Sequence, residues 1–416
     1  MTDLTRKEVD IETLVAGLST RLIEESLADT TQEELLNIYC NTLAQAGLAL
    51  HRVHVAQRAL HPVLGGIGFN WVRGDGVSGE QYERTEVPRR EWELSPFYMM
   101  ISERQLEFRQ HLPEPQAMAR YPILEELHAQ GATDYFAVVM AFGGIDMETH
   151  QLDPNDPHEG IIISWTSAAP GGFSDSDLNM LQRLMPPLGL SLKSISMRST
   201  ANDLMSIYLG GDAGRRVLSG VIQRGSLEVI HAVIWYFDLR GFTRLSESHP
   251  GKVIIAMLND YFGAVGRILE AHDGQILKFM GDGLLASFNH SDERAACRAA
   301  LDAAAALSTA MDEVRVRREA DGLPFPGFSL AIHAGEVMYG NIGAENRLDF
   351  TIIGPAVNET ARMLAMCGQL EREVIVSARV AANTARAGDE LVSLGRYMLR
   401  GVVKPTELFT LGPPAP

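Results

Sequence analysis

An α+β protein of two domains is predicted by three features of this sequence. Helical spacing gives way twice to short alternating strands before about residue 200. Beyond residue 225, strands and helices fall in the order βαββαβ. At 416 residues, with 46% apolar and 21% charged residues, the chain can bury a core in each of two or three domains.

In the first half, apolar residues recur at helical spacing from about Val9 to Gly47, as in EELLNIYCNTLAQAGL. LALHRVHVAQRALHPVLGGIGFNWV then alternates and breaks at glycines, as hairpin strands do. YPILEELHAQG predicts a further helix, and DYFAVVMAF and EGIIISW two more strands. SDSDLNMLQRLMPPLGLSLKSISMRSTANDLMSIYL predicts a connecting helix that Pro186-Pro187 should kink or break, since proline lacks the N–H and clashes with the preceding turn. This order, with WTSAAPGGFSDSDLNMLQRL near its end, resembles a GAF-type domain. The resemblance assigns residues 1–200 to a regulatory sensor of an unknown small-molecule or protein signal, and residues 201–227 then read as a linker, either transmitting strain or passive. His51, His54 and His61 invite a metal reading, but they do not share one face of a period-two strand and lack an acidic or cysteine partner at ligand spacing. Ordinary structural roles are expected for them.

Charge narrows the partners. The balance of 36 Lys+Arg against 53 Asp+Glu leaves a net charge of -17, which opposes polyanion binding, so nucleic acid is not an expected partner. Cys40, Cys297 and Cys367 are too few and too scattered for a disulfide framework or a CxxC metal site, and they fit a reducing cytoplasm. The start, MTDLTRKEVDIETL, lacks an apolar signal core, and no apolar run approaches the roughly 18 residues of a membrane span. A cytoplasmic protein without a membrane span is expected.

In the second half, EVIHAVIWYFDLRGFT is an apolar strand ending in an acid and a glycine turn, and VIIAMLNDYFGAVGRILEAHDG is an amphipathic helix. QILKFM and LLASF form a hairpin with Gly281-Asp282-Gly283 at its tip. An alanine-rich helix follows, with Asn289 or Ser291 as its expected cap and Asp292 and Glu293 in its first turn, at the positive end of the dipole. GFSLAIHAGEVMYGNIG and RLDFTIIG are strands, and PAVNETARMLAMCG is a helix opening on proline. The order predicts a ferredoxin-like sheet with extra strands at its end.

On that sheet Asp238 ends the first strand and Asp282 tips the neighbouring hairpin, so strand pairing brings two carboxylates to one edge. Either alone reads as a turn residue. Two that stay ionised side by side make sense with divalent cations between them, and Mg²⁺ favours carboxylates, phosphates and water. The turn Leu239-Arg240-Gly241-Phe242-Thr243 leads into a helix whose free N–H groups can cradle phosphate oxygens. Asn358 and Arg362, four apart on one helix face among apolar neighbours, form a polar stripe for which phosphate is the fitting partner.

FDLRGFT, KFMGDG and FTIIGPAVNETAR, in this order, resemble the catalytic domain of class III nucleotide cyclases over residues 228–412. The resemblance implies that Asp238 and Asp282, joined by the Leu239 carbonyl, hold two Mg²⁺ or Mn²⁺ ions per active site. It implies Lys278 and Thr351 as readers of the purine, Asn358 as the residue that orients the ribose and Arg362 as the transition-state cation. Arg347, Arg400 and Lys404 are either ligands of the β- and γ-phosphates or ordinary surface charges. A lysine donor and a threonine hydroxyl suit adenine, where guanine-selective members carry an acid and a small residue such as cysteine. ATP is thus the implied substrate, and 3′,5′-cyclic AMP and pyrophosphate the products. Sites in this family are split across a dimer, which implies a homodimer here. The alternatives are a guanylate cyclase, opposed by Lys278 and Thr351, and a silent nucleotide-binding signalling module, opposed by six competent site positions. A diguanylate cyclase is opposed by the lack of a GGDEF-like run. Pro355 and Glu359 depart from the residues usual in the family.

Overall fold

A computed structural model describes residues 2–85, 87, 89–113, 120–142, 160–384, 391–402 and 404–412, with side chains from residue 11 onward. The chain divides into two compact units, Met1–Leu204 and Met205–Pro416.

The first unit begins with α1 (Thr2–Leu27) and α2 (Gln32–Gln45). A capping box starts α2: the Thr31 hydroxyl accepts from the Glu34 N–H and the Glu34 carboxylate accepts from the Thr31 N–H. Strands β1 (Leu50–Arg58) and β2 (Leu64–Val72) form the expected hairpin and β3 (Gly76–Glu83) extends it. Then come α3 (Arg90–Glu93), α4 (Pro96–Ser102), β4 (Glu107–His111), α5 (Pro122–Ala129), β5 (Asp134–Ala141), β6 (Gly160–Ser167) and α6 (Asp175–Leu209). The six strands make an antiparallel sheet in the order β3-β2-β1-β6-β5-β4. One face buries Val53, Val55, Trp71, Phe136 and Trp165 against α1, α2 and α6, while the β5 end of the other packs Tyr135, Ala137 and Val139 against α4 and α5. The polar strings GVSGEQYE and EFRQH hide β3 and β4 from a reading based on apolar alternation.

Of the expected kink or break at Pro186 and Pro187, the break does not occur: α6 runs on through both prolines to Leu209. The carbonyls that lose their donors belong to Gln182 and Arg183, which face solvent, where water can replace the missing bonds. Met180, Leu181, Leu184, Met185, Leu188 and Leu192 on the opposite stripe anchor the helix in the core.

The second unit contains α7 (Gly211–Leu218), β7 (Leu227–Leu239), α8 (Phe242–Ser248), α9 (Gly251–Ala271), β8 (Gln275–Met280), β9 (Gly283–Phe288) and α10 (Glu293–Ala320). These are followed by β10 (Phe328–Ala344), β11 (Arg347–Ile353), α11 (Pro355–Gln369), β12 (Val374–Ser377), α12 (Ala378–Thr384), β13 (Leu391–Tyr397) and β14 (Thr406–Leu411). Its sheet runs β13-β14-β12-β10-β7-β9-β8, with β11 paired to β10. The segment β10-β7-β9-β8 has every neighbour antiparallel, which is the ferredoxin-like order expected from βαββαβ. On one face α9 and α10 cover Trp235, Phe237 and Phe288, and the buried Ala300, Ala303 and Ala304 allow α10 to approach closely. The other face buries Ile234, Leu285, Val337 and Phe350 together with Ala213 of α7 and Ala356 of α11.

The cap of α10 is Asp292 rather than Asn289 or Ser291; its carboxylate accepts from the Arg294 N–H at 3.1 Å. Among the described residues no helix is long and apolar enough to cross a membrane.

Candidate active site

Strand β7 is buried through its second half and ends at Asp238 and Leu239. Asp238 pairs in register with Gly283, so the hairpin residue Asp282 lies one position beyond its partner. Gly281 adopts a left-handed φ of +69, which lets the tip turn. A Cβ on Gly283 would sit 2.7 Å from the Phe237 carbonyl oxygen and 2.8 Å from Asp238 Oδ1, so the carboxylate occupies space that only glycine leaves open.

Burial pushes the Asp238 carboxyl up to about 6, the charge of Asp282 adds to this, and a hydrogen bond from the Leu239 N–H opposes it. Burial raises Asp282 as well. Repulsion acts on both partners, so the pair shares the cost of ionisation. Arg240 offers no relief: its Nε donates to Ser329 Oγ at 3.0 Å and its Nη2 to the Arg372 carbonyl at 2.6 Å. No ion pair reaches either aspartate among the described residues. Two half-buried carboxylates without a cation, beside a backbone carbonyl, are a hard-oxygen donor set that fits Mg²⁺ or Mn²⁺. No group of three or more His, Cys, Asp or Glu gathers among the described residues, so water and substrate phosphate would complete such a coordination shell.

Immediately after Leu239, Gly241 takes a left-handed φ of +69 and begins α8 with no side-chain cap. Gly241 and Thr243 are exposed, while Phe242 packs against the core. The first-turn N–H groups of this short helix therefore have no capping side chain.

Lys278 follows an irregularity in the β8–β9 pairing, between Ile276 and Lys278. Its Nζ lies 3.6 Å from Asp349 Oδ2. Asp349 stands two residues before Thr351 on β11, hence on the same strand face. Thr351 is buried and its Oγ1 has no hydrogen-bond partner. A buried hydroxyl without a partner is costly unless something satisfies it. Asp349 escaped the sequence reading, although its period-two spacing from Thr351 was the available signal.

Pro355 opens α11 at the position that tolerates a missing N–H. Asn358 is exposed and Arg362, one turn on, is half-buried beside the turn at Gly401, where an added Cβ would lie 3.4 Å from Arg362 Nη2. Glu359 points elsewhere: it lies 3.7 Å from His333 Nε2 and accepts from the Thr406 hydroxyl at 3.3 Å. Arg347, Arg400 and Lys404 are exposed. The fold thus gathers three groups: Asp238, Leu239 and Asp282 at one sheet edge; Lys278 and Thr351 around Asp349; and Asn358 and Arg362 on α11. Among the described residues no hydrogen bond or ion pair joins the α11 pair to the aspartates.

The second unit thus combines a ferredoxin-like sheet, two acids at the end of its first strand and a polar cluster of Lys278, Asp349 and Thr351. Residues 228–412 match the family model described as "Adenylate and Guanylate cyclase catalytic domain", and the second unit carries a domain of that family. An adenylate cyclase of Anabaena cylindrica is 31% identical over 162 residues, 39% of this chain and 32% of the relative. Adenylate cyclase 1 of Rhizobium meliloti is 31% identical over 187 residues, 41% of this chain and 27% of the relative. The chain therefore spans about a third or less of either relative's length. Among solved structures, the adenylyl cyclase CyaB from P. aeruginosa covers 46% of this chain and 97% of its own at 23% identity and a TM-score of 0.42. The guanylyl cyclase Cya2 covers 45% and 95% at 28% identity and a TM-score of 0.39.

Proposed function

We propose that the chain is an adenylate cyclase, converting ATP to 3′,5′-cyclic AMP and pyrophosphate and regulated by its first unit. The observation that carries the reading is the half-buried Asp238 and Asp282 pair, held together by strand pairing and lacking a cation partner. Relatives named as adenylate cyclases support it.

In the reaction the ribose 3′ oxygen attacks the α-phosphorus in line; the O3′–P bond forms and the bond to pyrophosphate breaks. Asp238, Asp282 and the Leu239 carbonyl would hold two Mg²⁺ or Mn²⁺ ions, which when bound supply positive charge for 3′-OH ionisation and triphosphate binding. Arg362 neutralises charge building on the α-phosphoryl oxygens, a contribution on the order of several kcal/mol for such groups. Asn358 orients the ribose. The free N–H groups at Gly241, Phe242 and Thr243 bind phosphate oxygens, with Arg347 and Lys404 as further phosphate ligands. Lys278 donates to the base, and the unpartnered Thr351 hydroxyl gains the hydrogen bond it lacks, which suits the N1 acceptor and 6-amino donor of adenine.

Homodimerisation places the α11 residues of one copy against the aspartates of the other. Its support is the exposed apolar surface: Phe279 beside Lys278 is 55% exposed, and Val229, Met338 and Ile353 are exposed and paired in register across β7, β10 and β11.

Incubation of purified protein with Mg²⁺ or Mn²⁺ and either ATP or GTP tests the reading. Cyclic AMP from ATP is expected. Cyclic GMP alone would overturn the base assignment, and no cyclic product from either nucleotide would overturn the enzyme.

A further inference from the structure

The first unit contains a cavity of about 950 Å³ between its sheet and the segment from α3 to α5. Strand pairing puts Arg52 and His54 of β1, Asn70 of β2, Ser164 and Thr166 of β6 and Glu80 and Tyr82 of β3 on the same sheet face, and all of these but Asn70 line this space. Gly66 and Gly68 keep β2 low there: a Cβ on Gly68 would fall 2.8 Å from Tyr82 Oη.

The polar wall is wired in one direction. Asn70 Oδ1 accepts from Arg52 Nε at 3.0 Å, from Arg52 Nη2 and from His54 Nδ1 at 2.9 Å. Asn70 Nδ2 donates to Glu80 Oε1, and Tyr82 Oη donates to Glu80 Oε2 at 2.6 Å, so both Glu80 oxygens are engaged. With Nδ1 donating, His54 is neutral and presents Nε2 as an acceptor; burial and the adjacent Arg52 hold it uncharged. Arg52 is half-buried, always charged, and among the described residues its side chain bonds only a neutral amide oxygen. No carboxylate among the described residues lies in ion-pair contact with it. On the same sheet face Val139 and Ile162 add apolar surface, and the α3–α5 segment lines the cavity with Trp92, Phe97 and Leu127 alongside Arg89, Arg90, Glu91 and Glu126.

A half-buried guanidinium with no carboxylate in ion-pair contact among the described residues, in a cavity whose exposed lining is mostly apolar, specifies complementary features in an occupant. We propose that this cavity binds an amphipathic organic anion, its carboxylate, sulfonate or phosphate group paired with the free edge of Arg52 and its flat apolar body packed against Phe97, Val139 and Ile162. The volume suits a molecule of drug-like size, and a mostly apolar cavity with a few convergent polar groups is the usual form of such a site. Charge-assisted pairing explains why an arginine, not a lysine, stands at position 52: the Nη1–Nη2 edge of its planar fork offers two donors to one anionic group while Nε and Nη2 together hold Asn70.

The test uses the full chain and two fluorescent probes of matched shape, the anionic 8-anilinonaphthalene-1-sulfonate and the uncharged N-phenyl-1-naphthylamine. The anion should bind saturably with one site per chain. Arg52→Gln should weaken it roughly tenfold or more, the loss expected for a charge-assisted pair, while the uncharged probe keeps its affinity. Absence of a saturable site, or equal anion affinity in the wild type and Arg52→Gln, overturns the proposal. So does an equal loss of both probes in a variant whose thermal unfolding stays cooperative. If Arg52→Gln does not unfold cooperatively, Arg52→Lys replaces it. This variant keeps the charge but not the fork, and it should weaken the anion several-fold with the uncharged probe unaffected; an unchanged anion affinity overturns the proposal.

Discussion

Asp238 and Asp282 are held where ionisation is costly, and this sets opposite expectations for stability and catalysis. Asp282→Asn removes a buried charge facing another of the same sign, so the metal-free protein should unfold at the same or a higher denaturant concentration. In the same variant cyclase turnover should fall by about a thousandfold or more, the scale seen when a preorganised charge is lost. A coupled assay and a urea titration of one preparation read both, and a variant that loses stability in step with activity would make Asp282 structural. On the proposed reading of Lys278 and Thr351 as base contacts, the double variant Lys278→Glu with Thr351→Cys should move turnover from ATP toward GTP in a competition assay. His54 supplies a pH expectation. Burial and Arg52 lower its pKa from 6.5 to about 4, against the hydrogen bond to Asn70 and the charge of Glu80. The unfolded chain then binds a proton that the folded one refuses, so stability present above pH 6.5 is lost as pH falls toward 4, by up to about 3 kcal/mol. Imidazole ¹⁵N spectra should show a neutral Nδ1–H tautomer at pH 6.

Strands and helices decide whether those side chains meet. The β7–β9 register puts Gly283 opposite Asp238, and a methyl group at 283 would strike the Phe237 carbonyl oxygen, which no rotamer change can move. Gly283→Ala should therefore destabilise the second unit by about 1–3 kcal/mol, measurable by urea unfolding, and should cost activity beyond that. Elements with strong period were legible in the sequence. The alternation of β1 and β2, the apolar run of β7 and the βαββαβ order appear in the fold as expected, because burial imposes those periods. Polar β3 and β4 were not legible, since their stability comes from pairing to a neighbour rather than from apolar side chains of their own. The uninterrupted α6 shows a local rule overridden in the same way: the apolar stripe on its buried face outweighs two missing hydrogen bonds on its solvent face.

At the scale of the whole molecule, the proposed homodimer, with Asp238 and Asp282 from one copy facing Asn358 and Arg362 of the other, makes an isolated copy incomplete. Asp282→Ala and Arg362→Ala, each inactive alone, should together regain activity when co-expressed. One of the two sites in a mixed dimer is then intact, and random pairing gives about a quarter of wild-type turnover. No recovery on mixing would indicate that each copy supplies its own full site.

By itself the sequence determined the elements and the motifs they carry: acids and glycines at strand ends, a proline-led helix with Asn358 and Arg362 on one face, and a hairpin tipped by Asp282. These are local consequences of side-chain period and backbone freedom, so a linear string records them. Only the tertiary structure decided that Lys278 meets Asp349, that Thr351 is buried without a partner, and that Arg52 and Phe97 line one cavity. Those facts depend on sheet register and on what a neighbouring element leaves uncovered, and residues far apart in sequence acquire a shared environment only when the chain has packed.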